Sequence, residues 1–117
     1  MLVNNVRLVA RARARGNDLF KSERFTEACS AYGDGLRLDP SNSVLYCNRA
    51  ACWFKLGRWE LSVEDCDQAL SIQPNYIKAL LRRAASNSKV KNSLKLSFII
   101  RMTIFCVYIY RDLVASD

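Results

Sequence analysis

The sequence predicts an all-α fold, a right-handed α-solenoid of antiparallel helix pairs, from three observations. First, the chain repeats itself with a period of 34 residues, so that Phe20 aligns with Phe54 and Pro40 with Pro74. Second, apolar residues recur at helical spacing within each period. Third, small residues recur at equivalent positions. A repeat of this length is typical of one helix pair, which buries its apolar face against the neighbouring pairs.

The first period reads as two helices joined by a tight turn. We predict the first helix over about residues 4–21, a turn at 22–24 and a second helix over about 25–38. The second helix ends before Pro40, because proline cannot continue a helix and disfavours helix in the residue before it. One side of this helix is apolar at helical spacing: Phe25, Ala28, Cys29, Tyr32 and Leu36.

The second period follows the same plan. Asn42 or Ser43 is expected to cap the third helix, since both side chains accept hydrogen bonds from backbone N–H groups. Gly57 ends that helix, a fourth is predicted over about 60–72, and a fifth begins after Pro74. The apolar residues of the third helix are again at helical spacing: Leu45, Tyr46, Ala50, Trp53 and Phe54.

Composition argues against catalysis and against a cofactor. The chain of 117 residues has no histidine, so it lacks an imidazole base or metal ligand, and its five cysteines form no Cys-x-x-Cys pair. We therefore predict no enzyme activity, no metal and no cofactor, and free thiols in a reducing setting, cytosolic or nuclear, with the cytoplasm as the expected location. The net charge of +7 favours an acidic partner, and charge alone leaves nucleic acid, lipid headgroups and acidic peptides open.

Several positions together resemble a known repeat family. Small Gly16, aromatic Tyr32, small Gly35 and the closing Pro40 and Pro74 are similar to the pattern of tetratricopeptide repeats. The resemblance covers about residues 5–89. It implies a module at 1–89, with repeats at about 7–40 and 41–74 and the first helix of a third repeat at 75–89, followed by an atypical hydrophobic tail at 90–117.

A narrower resemblance concerns residues 6–60, which run VRLVARARARGNDLFKSERFTEACSAYGDGLRLDPSNSVLYCNRAACWFKLGRWE. This stretch resembles the plant tetratricopeptide-repeat thioredoxin-like proteins, which are scaffold or co-chaperone proteins. Their thioredoxin-like domain has no counterpart here, so the resemblance implies a shortened version of that family. The arginine-rich first 17 residues also have the composition of a transit peptide, but they run directly into the repeat and a folded helix is preferred.

The resemblance also implies a binding site, the carboxylate clamp that holds acidic chain ends of heat-shock chaperones. Its five positions are occupied by Arg13, Asn17, Asn48, Lys78 and Arg82, with arginine where lysine is commoner at the first of them. Residues four apart share a helix face, so these donors should converge on one groove. We predict an adaptor for the C-terminal tails of seventy- and ninety-kilodalton chaperones, without a nucleic-acid partner. A solvated basic face is the alternative reading, and Lys55 is a further candidate contact.

The tail at 90–117 departs from the repeat pattern. It is rich in Ile, Phe and Tyr, lacks glycine and proline, and carries Arg101 within its most apolar stretch, 97–110. Three interpretations stay open: a substitute last helix packed on the fifth, a weak membrane tether, or a sequence that did not evolve as part of this fold. The alternative function is accordingly a truncated scaffold remnant with an incomplete groove, or one tethered weakly to a membrane.

Overall fold

The structure, a computed structural model, describes residues 2–115 and contains five α-helices and no β-strand within that range. This confirms the prediction of an all-α fold. The helices are α1 (Leu2–Lys21), α2 (Phe25–Leu38), α3 (Ser43–Lys55), α4 (Trp59–Ile72) and α5 (Ile77–Ala115).

Equivalent turns join the two helices of each repeat. Glu23 and Gly57, which are one period apart, both adopt the left-handed region of backbone space, with φ of 60° and 73°. The residue after each of them bonds back to the preceding helix: Arg24 N donates to Leu19 O at 2.9 Å, and Arg58 N donates to Trp53 O at 2.8 Å. Glycine adopts this conformation without steric cost, whereas glutamate is strained in it.

The structure decides which of the two candidate residues caps the start of α3. Asn42 lies at the capping position, where its Oδ1 accepts a hydrogen bond of 3.1 Å from the backbone N of Leu45. Ser43 instead donates from its hydroxyl to Gln73 Oε1 at 3.0 Å. The side-chain cap satisfies one of the N–H groups that a helix start leaves without a partner.

The first compact unit, Met1–Asn87, contains the repeats. Within it α1 packs on α2, α2 on α3 and α3 on α4, so consecutive helices bury each other's apolar faces. Close packing requires the small residues at two positions. A Cβ on Gly16 would lie 2.5 Å from Tyr32 Cε1, and one on Gly35 would lie 2.8 Å from Leu45 Cδ1. The core includes Ala28, Cys29, Tyr32, Leu36, Leu45 and Cys52.

A buried carboxylate fastens α3 to α4. Asp65 is 5% exposed, and it accepts two hydrogen bonds from Arg49, at 2.7 and 2.8 Å, and a third from the indole nitrogen of Trp53 at 2.9 Å. Burying a charge is costly unless it is paired and hydrogen-bonded, and this arrangement meets both conditions. Asp65 is therefore a structural residue of the repeat.

The second compact unit is Ser88–Asp117. The fifth helix does not end near residue 89, where the repeat pattern stops, because α5 runs without a break through Ala115. The described residues of the tail are therefore part of α5. α5 is long and apolar enough to cross a membrane by length and composition: its best 18-residue window has a mean hydropathy of 1.5, and none of that window is buried.

Candidate functional site

A polar cavity lies where four helices of the repeat unit come together. Its volume is about 220 Å³, and its walls bring together three of the predicted binding residues, Asn17 from α1, Asn48 from α3 and Arg82 from α5. The full lining is Asn17, Phe20, Lys21, Tyr32, Asn48, Ala51 and Arg82. The convergence follows from helix periodicity, since each of these residues is on the face that its helix turns towards the others.

A second cavity adjoins the first and brings in a fourth predicted residue. It measures about 450 Å³ and shares Phe20, Ala51 and Arg82 with the polar cavity. Its other lining residues are Phe54, Lys55, Lys78, Leu81 and Ala85. We call the two adjoining cavities together the basic groove. The groove therefore contains four of the five predicted positions and also Lys55.

Arg13 does not line the basic groove. It is exposed, and its side chain lines a different depression of about 480 Å³ beside the end of α2 and the start of α3. The other residues of that depression are Asn5, Val6, Val9, Ala10, Leu38, Asp39 and Asn42. Arg13 lies one helical turn before Asn17 on α1, so the two share a helix face although the described side chains occupy different depressions.

The amide of Asn17 is oriented by Tyr32, a residue that the sequence pattern assigned to the apolar side of α2 and not to the site. The Tyr32 hydroxyl donates a hydrogen bond of 2.6 Å to Asn17 Oδ1. With its oxygen engaged, Asn17 presents Nδ2, a donor, to an incoming group. Burial raises the pKa of Tyr32 to about 12, so the hydroxyl stays protonated and able to donate at neutral pH.

The guanidinium of Arg82 is fixed against α3. Its Nη1 donates to the backbone oxygen of Cys47 at 2.8 Å and lies 3.1 Å from the sulfur of the same residue. Cys47 directly precedes Asn48, so this contact sets the arginine beside the asparagine. A guanidinium has five N–H donors, so most of them stay available to a ligand.

The groove carries positive charge that forms no ion pair with a carboxylate within residues 2–115. Across residues 2–115, the ion pairs include neither Lys78, Arg82 nor Lys55. Arg83, next to Arg82, differs because it pairs with Asp67 at 3.1 Å. Lys78 and Arg82 are like charges four residues apart, which destabilises a helix by about 0.2–0.5 kcal/mol. An anionic ligand would remove that repulsion.

Four of the cysteines lie in the core and are free: Cys29, Cys47, Cys52 and Cys66. Burial raises the pKa of the Cys66 thiol to about 11. The pKa of the Cys52 thiol is also raised, first by its hydrogen bond to Cys29 and then by burial. A thiol that stays protonated is a poor nucleophile. Cys52 and Cys66 therefore serve as small core side chains.

Comparison with known proteins agrees with the fold. The family described as tetratricopeptide repeat matches residues 43–76. The second such domain of Spaghetti (RPAP3), solved bound to the HSP90 peptide SRMEEVD, is 30% identical with a TM-score of 0.73 over 81% of this chain and 90% of that one. The chain belongs to the tetratricopeptide repeat proteins.

Within that family, a plant relative shares most of the repeat sequence. The inactive TPR repeat-containing thioredoxin TTL3 of Arabidopsis thaliana is 73% identical over 81 residues, which are 69% of this chain and 12% of the relative. The chain thus spans about an eighth of that relative's length. The second domain of human RPAP3, solved with the HSP70 peptide SGPTIEEVD, is 28% identical with a TM-score of 0.72 over 75% of this chain and 73% of that one.

Proposed function

We propose that the chain is a non-enzymatic adaptor whose basic groove binds the acidic C-terminal tails of heat-shock chaperones of the seventy- and ninety-kilodalton classes. The observation that carries the proposal is that two adjoining cavities are lined by Asn17, Asn48, Lys78 and Arg82. In the part of the chain that the structure describes, neither Lys78 nor Arg82 forms an ion pair with a carboxylate. Similar repeat domains solved with HSP90 and HSP70 peptides, both of which end in EEVD, support it.

The groove offers the two kinds of donor that such a tail requires. A C-terminal aspartate carries two carboxylates, one on its side chain and one at the chain end. The amides of Asn17 and Asn48 donate without adding charge, whereas Lys78 and Arg82 provide charge-assisted bonds of roughly 1.5–3 kcal/mol each. Ordering a flexible tail costs part of this gain, so we expect micromolar affinity.

Arg13 has a secondary place in this proposal. Because its side chain is exposed and one turn from Asn17, rotation about its own side-chain bonds is enough to carry the guanidinium towards a bound tail. That rotation orders a long side chain, which costs entropy. We therefore expect Arg13→Ala to weaken binding less than Asn48→Ala, whose amide already lines the cavity.

Calorimetric titration with the peptide SRMEEVD tests the proposal. The expected result is micromolar binding to the full chain, at least tenfold weaker binding of the C-terminally amidated peptide, and a similar loss for Lys78→Ala. Arg83→Ala is the matched control, since it removes a neighbouring charge that faces Asp67 rather than the groove. Equal affinity for the free and amidated peptides would show that the groove does not recognise the terminal carboxylate.

We further propose a cytoplasmic location. The described cysteines are free and four of them are buried, a state that a reducing compartment maintains. Fluorescence microscopy of the chain in plant cells tests this, and accumulation inside an organelle would contradict it.

A nucleic-acid partner is not part of the proposal. Binding to nucleic acid would depend steeply on salt concentration and would not require a free carboxyl terminus, so the two kinds of partner are distinguished by these measurements.

A further inference from the structure

The helical segment after the repeats is apolar on every side. Six of its large side chains are between 50% and 64% exposed: Leu96, Phe98, Ile100, Ile104, Phe105 and Val107. Consecutive helix residues are separated by about 100° around the axis, so these positions point in different directions rather than to one face. A helix that packs on one neighbour, or lies flat on a surface, needs a single apolar face. This one needs an apolar medium all round.

We propose that the unit Ser88–Asp117 inserts its helix into a lipid bilayer of anionic surface and tethers the repeat unit there. The apolar stretch between Lys95 and Arg111 is residues 96–110, which span about 22 Å at 1.5 Å per residue, against about 30 Å of hydrocarbon in a bilayer. Insertion therefore requires the flanking basic side chains to extend to the headgroups and the bilayer to thin locally. The mean hydropathy of 1.5 over an 18-residue window agrees with this environment.

The basic and aromatic residues at the two ends of this unit suit the two surfaces of a membrane. Lys89, Lys91 and Lys95 lie at one end, with no acidic residue before Asp112, and such a basic cluster is attracted to anionic headgroups. Tyr108 and Tyr110 lie at the other end, where aromatic residues favour the interface between lipid and water. Basic and aromatic flanks of this kind distinguish a lipid partner from a second protein chain, which needs neither.

Arg101 and Thr103 are polar residues in the middle of the apolar stretch. The hydroxyl of Thr103 donates to the backbone oxygen of Ile99 at 2.8 Å, so it needs no water. Arg101 is a charge at membrane depth, and such a residue weakens insertion even when its long side chain reaches towards the headgroups. The structure thus points to a tether that is weaker than an uninterrupted span, and removal of this charge should strengthen it.

Vesicle flotation of the full chain tests the inference. The chain, diluted from mild detergent into vesicles of phosphatidylcholine with phosphatidylserine, is expected to float with the lipid and to resist extraction by alkaline carbonate. Ile104→Lys should lower the floating fraction at least tenfold, and Arg101→Leu should raise the partition coefficient at least tenfold. Arg111→Leu is the matched control, because it removes the same charge at the interface and should change little.

Circular dichroism of each variant verifies that the helices are retained. Three results overturn the inference. The first is flotation that salt or carbonate abolishes, and the second is an equal effect of Arg101→Leu and Arg111→Leu on flotation. The third is a soluble oligomer in analytical ultracentrifugation that does not bind the vesicles. The last would assign the apolar helix to a second copy of the chain. Binding of the chaperone tail is measured separately, by calorimetry with the peptide. Failure of the membrane proposal can therefore be distinguished from failure of the peptide-binding proposal.

Discussion

Replacing Tyr32 by phenylalanine tests the link between the core and the groove. The change removes only the hydroxyl that donates to Asn17 Oδ1 at 2.6 Å and keeps the ring that packs over Gly16. A hydrogen bond of this kind contributes about 0.5–1.5 kcal/mol, which corresponds to roughly two- to twelvefold in affinity. We expect a loss of that size for the peptide SRMEEVD, since the Asn17 amide is then free to turn its oxygen towards the ligand.

The assay is calorimetric titration of the peptide, with thermal unfolding measured in parallel. Tyr46→Phe is the matched control, because the hydroxyl of Tyr46 forms no hydrogen bond with any residue in the range 2–115. A double-mutant cycle with Asn17→Ala decides the mechanism: in that background the tyrosine substitution should have little further effect. If Tyr32→Phe weakens binding equally with and without Asn17, the hydroxyl does not act through the amide and the reasoning is refuted.

Four further predictions concern stability and solubility. Glu23→Gly should stabilise the chain by about 1 kcal/mol in denaturant titration, because it relieves a left-handed backbone at φ 60°; a loss of stability would mean that the glutamate makes a compensating contact. Asp65→Ala should cost about 2–4 kcal/mol, since it leaves a guanidinium and an indole N–H without their buried partner, whereas exposed Asp67→Ala should cost under about 1 kcal/mol. The pKa of Cys66 rises from 9.0 unfolded to about 11 folded, so its contribution to stability is complete below pH 9 and is lost between pH 9 and 11; Cys66→Ala should reduce this decline in a pH series of thermal unfolding. A chain ending at Lys89 should be more soluble than the full chain without lipid, because it lacks the exposed apolar helix; equal solubility in a sedimentation assay would contradict this.

The helix boundaries inside the repeats were predictable because strong local signals set them. Pro40 and Pro74 follow the ends of α2 and α4, and Asn42 caps α3. The extent of α5 was not predicted, since the repeat pattern gives no information after about residue 89. Its continuation has a local reason all the same: the tail lacks glycine and proline, so no residue interrupts the helix before Ala115.

The candidate site was predictable to the extent that helical spacing determines which side chains share a face. Asn17, Asn48, Lys78 and Arg82 lie where that spacing suggests. Spacing does not determine where a long exposed side chain rests, so it could not show that Arg13 lines a separate depression. The orienting contacts of Tyr32 and Cys47 were equally out of reach, because they depend on packing between helices rather than on a pattern along one.

The position of Tyr32 joins recognition to the integrity of the first helix pair. The residue is 2% exposed, its ring packs over Gly16 of α1, and its hydroxyl bonds to Asn17 at the cavity wall. Because α1 packs chiefly against α2, local opening of that pair separates the hydroxyl from Asn17 and dismantles one wall of the cavity. An occupied groove must therefore hold α1 closed, and amide hydrogen exchange along this helix should slow when peptide is bound.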